Sequence, residues 1–178
     1  MKKNYIRRLV LIGAVAGFFT AFYFTLRLTN LANLPIFTDE AIYIRWAQIA
    51  KQDASWRFIA LTDGKQPLFV WAAMMTLRLI ADPLAAGRMV SVIPGFGSLV
   101  GIFFLGRELF KSDRIALFSS LMYLLSPFTL MYDRMALMDA MVTMFIIWSL
   151  FFEIKLVKNP RLDMAFLLGM SIGAAILT

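Results

Sequence analysis

From Leu9 to Leu26 the chain runs without a single charge, and five more apolar segments follow at Pro67–Ala81, Met89–Gly106, Ile115–Met131, Ala140–Val157 and Met164–Thr178. One soluble core cannot hide so many. Hydrophobic residues make up 61% of the 178 positions and charged ones 16%, where soluble domains hold roughly 45–50% and about 25%. In a bilayer each backbone polar group must be satisfied within its own segment, so apolar runs of this kind become helices. The expected fold is an all-α polytopic membrane protein.

Charge placement fixes the threading. Lys2, Lys3, Arg7 and Arg8 precede the first run, Arg107, Lys111 and Arg114 follow the third, and Lys155, Lys158 and Arg161 follow the fifth. If all six segments crossed, the second and third clusters would lie outside, against the tendency of short cytoplasmic segments to be basic. If Pro67–Ala81 lies along the outer surface instead, ten of the 18 basic residues fall inside. That segment is also shorter than the ~20 residues a crossing needs and contains Arg78. The reading is therefore about five transmembrane helices, over 9–28, 88–106, 115–131, 140–157 and 163–178. An external loop over 29–86 carries two juxtamembrane surface helices. The first run exceeds the ~7–15 residues of a signal-peptide core and is read as an uncleaved helix with a cytoplasmic N-terminus. The last segment stops without a flanking charge, so the chain reads as the N-terminal part of a longer catalytic module. Gly13/Gly17, Gly97/Gly101 and Gly169/Gly173 have the spacing that lets helices approach closely; Pro94 and Ser126-Pro127 mark places to bend.

The chain has no His and no Cys. Imidazole bases, thiolate nucleophiles and the metal sites built on either are thereby excluded. Chemistry falls to carboxylates, cations, Tyr and the backbone. The net charge of +7 is a matter of membrane topology and gives no reason to expect a nucleic-acid partner.

Thr38-Asp39-Glu40-Ala41-Ile42-Tyr43 opens a helix expected to run to about Gln52. Thr38 suits an N-cap and two acids suit the first turn, which by itself would explain the hexapeptide. The helical wheel adds more. Ile42, Trp46 and Ile49 form an apolar stripe, and Arg45, Gln48 and Gln52 a wet one. Asp39, Glu40, Tyr43, Ala47 and Ala50 share a third sector that a surface helix does not need. Asp63-Gly64-Lys65-Gln66-Pro67 is a turn presenting Lys65. Arg88 and Arg134 stand at the outer ends of spans, and Asp139 opens the span over 140–157 from the outside. Carboxylates there suit a general base for an acceptor hydroxyl or amine, and cations suit a membrane-confined phosphate. Together they describe glycosyl transfer from a polyprenyl-phosphate sugar.

The order Asp-Glu-x-x-Tyr at 39–43, Lys65 with Pro67-Leu68, Arg88 with Ser91, and Tyr132-x-Arg134 followed by Asp139 resembles the GT-C class of membrane glycosyltransferases. It is most similar to the protein mannosyltransferase-like group, which includes the aminoarabinose lipid A transferases. The resemblance implies an inverting direct displacement with Asp39 as catalytic base and Glu40 and Asp139 completing the acidic site. Tyr43, Lys65, Arg88 and Arg134 would bind donor phosphate or substrate. It implies an active site on the extracytoplasmic face of the plasma (inner) membrane, a polyprenyl-phosphate sugar donor, and a lipid, glycan or protein acceptor. Metal use stays open. A divalent cation, Mg or Mn, would fall to Asp39, Glu40 and Asp139. Gln66 stands where the family often has a first proline after the lysine. The rival reading is a transporter or flippase for an anionic lipid or lipid-linked sugar, whose charges would line a path through the spans. A non-catalytic scaffold would explain the glycine pairs but not the acid–Tyr face.

Overall fold

A computed structural model describes residues 2–178. The side chains of residues 2–9 and of Leu11 lie outside the described residues, and with them the cluster Lys2, Lys3, Arg7 and Arg8. Eight α-helices follow one another: α1 (Lys2–Leu28), α2 (Thr38–Gln52), α3 (Leu68–Thr76), α4 (Pro83–Phe110), α5 (Asp113–Leu125), α6 (Pro127–Tyr132), α7 (Asp139–Lys158) and α8 (Leu162–Leu177). Two short 3₁₀ turns, Ala54–Trp56 and Ile59–Asp63, join α2 to α3. No strand occurs among the described residues.

Within that set, α4 and α7 are long and apolar enough to cross a bilayer. The part of α1 whose side chains are described, Ile12–Leu28, and the whole of α8 are apolar as well. The all-helical class expected from sequence is present, and among the described residues two helices meet the length and composition of a span by themselves. α3 has nine residues, or roughly 14 Å of helix, less than half of the ~30 Å hydrocarbon core. It packs beside α2 through Phe69, Val70 and Ala73, joining Tyr43, Ile44 and Ala47 in one buried cluster.

One start and one interruption differ from the apolar segments. α4 begins at Pro83, ahead of the apolar stretch, because Asp82 accepts from the backbone N–H groups of Leu84 and Ala85 and proline suits the first turn. The segment 115–131 is divided at Ser126, where Pro127 cannot continue the ladder and instead opens α6. Pro94 lies within the continuous α4.

α4 and α7 run parallel. Their first halves meet where Ser91 Oγ donates to the Leu137 carbonyl at 2.9 Å, and their last turns meet where Lys155 and Lys158 reach Glu108. The glycine pair of α4 explains the fit between these contacts. A Cβ on Gly97 would meet Met144, and one on Gly101 would meet Ile147 and Trp148. Trp148 Nε1 donates to the Gly97 carbonyl at 3.1 Å in that seam. The other two pairs were expected to pack in the same way and do not. At Gly13, Gly17, Gly169 and Gly173 an added Cβ meets nothing within 4 Å, because α1 and α8 turn these faces away from the rest of the chain.

Candidate functional site

The inward face of α2 is the one the helical wheel singles out. Glu40, Tyr43, Ala47 and Ala50 are buried, and Asp39, one position earlier, is exposed. The helix starts at Thr38 with Phe37 as its N-cap, not Thr38. Glu40 supplies the cap by accepting from the Phe37 N–H at 3.0 Å.

Glu40 and Arg88 are both fully buried and form a two-pronged pair, with Nε to Oε1 and Nη2 to Oε2 at 2.8 Å each. The remaining donors of Arg88 go to the carbonyls of Leu31, Leu34 and Pro35. A guanidinium carries five N–H groups, and all five are engaged, so this conformation leaves none for a phosphate. Glu40 Oε1 also accepts from the Ala136 N–H at 2.7 Å. Burial alone would raise the Glu40 carboxyl, but the hydrogen bonds from Arg88, Phe37 and Ala136 together hold it below its ordinary value. The pair thus fastens three segments: the start of the first loop, α4, and the stretch before α7.

Above this pair the free carboxylates gather. Asp39 and Asp139 are exposed, each in the first turn of its helix, and neither enters an ion pair among the described residues. Tyr43 is 4% exposed and set edge-on against Trp46 and Phe69. Its phenol is pushed above its ordinary value first by burial and then by the charges of Asp39, Asp139 and Asp63. The charges of carboxylates on three segments far apart in sequence therefore act on one hydroxyl, and Asp63 is a member that sequence reasoning missed. Its signal lay in the turn already noted for Lys65. Gly64 closes the 3₁₀ turn with φ of 68°, a left-handed value that favours glycine. Half-buried Lys65 follows, its N–H donating to the Ala60 carbonyl at 3.1 Å. The Lys65 ammonium enters no ion pair among the described residues.

Arg134 points elsewhere. It donates to the carbonyls of Thr29 and Asn30 at 2.8 and 3.2 Å, closing the end of α1. Beside it lies a second buried ion pair that sequence reasoning missed: Arg27 and Asp133, at 3.3 Å. Tyr23 and Tyr123 both donate to this carboxylate, and Arg27 also donates to the Leu124 carbonyl at 2.8 Å. The available signal was an ionisable residue at the rim of an apolar run, since Arg27 directly follows the first one. The stretch 133–139 is consequently held at both ends, by Arg27 at Asp133 and by Glu40 and Ser91 at Ala136 and Leu137.

Among the described residues no group of three carboxylates is close enough to hold a metal ion. Of Asp39, Glu40 and Asp139, the set named for a cation, Glu40 is turned inward onto Arg88.

A family model described as dolichyl-phosphate-mannose-protein mannosyltransferase matches residues 64–178. The match takes in Lys65, Arg88, Arg134 and Asp139, and it begins after Asp39, Glu40 and Tyr43. No curated protein and no solved structure matches the chain.

Proposed function

The chain belongs to the dolichyl-phosphate-mannose-protein mannosyltransferase family, a family of GT-C-like membrane glycosyltransferases, and from that premise we propose its reaction. A sugar passes from a polyprenyl-phosphate-linked donor to an acceptor at the extracytoplasmic face of the membrane, by direct displacement with inversion. Five spans and a cytoplasmic N-terminus complete this reading. The observation that carries it is the set of carboxylates whose charges bear on buried Tyr43, Asp39 and Asp139 among them, with Lys65 on the turn that bears Asp63.

Asp39 is the general base. It takes the proton of the acceptor hydroxyl or amine as that atom bonds to the anomeric carbon. The bond from that carbon to the phosphate oxygen breaks, and polyprenyl phosphate leaves with the electron pair. A phosphate is stable as an anion, so the leaving group needs no proton from the protein. Lys65, with no carboxylate partner, meets the phosphate charge. Asp139 completes the acidic site, and the Tyr43 phenol, pushed up by burial and by the charges of both carboxylates, stays protonated. Glu40 and Arg88 serve as positioning residues, because each satisfies the other.

The test is release of polyprenyl phosphate from a panel of polyprenyl-phosphate sugars by the protein in liposomes. One donor should turn over, and Asp39→Asn should lower its kcat by about 10²–10⁴-fold, the usual worth of a positioned base. Unchanged turnover in Asp39→Asn would remove the base assignment. Labelled donor crossing the bilayer with no phosphate released would favour the transporter reading.

A further inference from the structure

The end of the bundle opposite Glu40 carries a charged cluster that sugar transfer does not use. Glu108, in the last turn of α4, accepts from Lys111, Lys155 and Lys158 at 2.6, 3.1 and 2.9 Å, and Arg107 pairs with Asp113 at 2.8 Å. Four cations thus face two carboxylates. The three lysines hold the Glu108 carboxyl down to about 2, so the surplus of positive charge is insensitive to pH in the neutral range. The cations remain accessible, with side chains 42–65% exposed against 12% for Glu108. An ammonium has three N–H groups, and among the described residues Lys111 and Lys155 each have Glu108 alone as an ionic partner.

Arg107, Lys111 and Lys155 line a cavity of about 570 Å³ together with Glu108 and Asp113, so its wall carries one cation more than it has carboxylates. Phe104, Arg107 and Asp113 also line a second cavity of about 510 Å³, which continues between α1 and the α4–α5 pair. Its walls are almost wholly apolar: Ile12, Val15 and Phe19 on one side, Val100, Phe103 and Leu117 on the other. The gap exists because α1 is pinned to α4 near Tyr23, whose hydroxyl donates to the Val92 carbonyl, and has open glycines at 13 and 17. Water gains nothing in such a groove, and a polar head alone has no use for it. A molecule with a phosphate at one end and a hydrocarbon chain at the other matches both cavities across their shared wall.

We propose that the two cavities form one binding site for an anionic phospholipid, with its phosphate at Arg107, Lys111 and Lys155 and an acyl chain between α1, α4 and α5. Arginine suits a phosphate through its planar fork of donors, and Arg107 stands at the boundary between the charged and apolar parts. An apolar helix from another polypeptide would fill the groove without any need for the cations, which is why the lipid is preferred. The site lies at the other end of the bundle from Asp39, so it does not depend on the transferase reading.

The test uses the full chain in detergent micelles, titrated with phosphatidylglycerol or phosphatidylcholine and followed by native mass spectrometry and thermal unfolding. Phosphatidylglycerol should be retained selectively and should raise the unfolding temperature, while inorganic phosphate alone should not. Arg107→Gln with Lys155→Gln should weaken phosphatidylglycerol binding about thirtyfold, the worth of two basic residues near a lipid surface. Leu117→Trp, which fills the groove and leaves every charge in place, should release the lipid as well. Should either variant fold poorly, Lys111→Gln, at the most exposed of the four cations, should still lower the preference about fivefold. Equal retention of the two lipids, full binding by the variants, an equal response to phosphate alone, or a dimer cross-linked through the groove would each overturn the proposal.

Discussion

Replacing Arg88 with methionine isolates the interaction that fastens the first loop to the rest of the molecule. Methionine keeps the apolar stem and leaves the volume of the guanidinium group empty, so a cavity adds to the electrostatic loss that dominates. Glu40 would keep its two backbone donors, the N–H groups of Phe37 and Ala136, and lose both guanidinium prongs. The carbonyls of Leu31, Leu34 and Pro35 would lose their donor at the same time. A buried charge stripped of its partner costs about 3–5 kcal/mol, and that is the expected destabilisation near pH 7. Denaturant unfolding in detergent, scored with Arg88→Met, Glu40→Gln and the double variant, gives the coupling directly. The double variant should be more stable than Arg88→Met, since it removes the stranded charge. The pH dependence provides an independent check. In the wild type the Glu40 carboxyl sits below its ordinary 4.5, so its contribution is complete above that value and is lost as pH falls through the lower folded value. Without Arg88, burial dominates and the folded carboxyl moves above the unfolded one. The deficit of Arg88→Met should then shrink as pH falls from about 7 toward about 5. A deficit below about 1 kcal/mol, in the range of a surface pair, or one that does not change with pH, would refute this account of the pair.

Asp133→Asn should be comparably damaging, by about 3–5 kcal/mol, because it leaves Arg27 buried without its counter-charge; thermal unfolding in detergent measures it. Gly95→Ala should cost about 1–3 kcal/mol by overpacking, since the new methyl would meet the Tyr23 hydroxyl and the Asp133 carboxylate. Gly101→Leu should destabilise the α4–α7 seam, where even a Cβ comes 2.8 Å from Ile147, while Gly169→Leu, with nothing within 4 Å, should leave the unfolding temperature unchanged.

The parts of the fold written in local sequence were readable, and the parts made by distant pairing were not. Four of the five residues in the third sector of the α2 wheel are buried, Asp39 being the exception, because a helix repeats every ~3.6 residues whatever it packs against. The break at Ser126-Pro127 and the turn at Gly64 are likewise local chemistry. The partner of Arg88 was not legible. A cation at the mouth of a span looks the same whether it meets a lipid phosphate or a carboxylate 48 positions earlier. Arg27 and Asp133, 106 positions apart, leave even less trace, since each reads singly as an interfacial anchor. The glycine pairs show the reverse error. Identical spacing marks three helices, yet only the pair at Gly97 and Gly101 has a helix laid against it.

The distances between those partners also set an order of assembly. Glu40 and Arg88 can meet as soon as α4 emerges. Arg27 must wait until the ribosome has delivered Leu124 and Asp133, roughly another hundred residues; until then its long stem lets the charge rest among the headgroups. Asp139 follows Asp133 by six positions, so the last acid of the proposed site arrives together with the pairing that seats it. A nascent chain shorter than this point presents Asp39 without Asp139. Completion of the α1–α6 junction is thus also the moment at which the proposed site has all its acids.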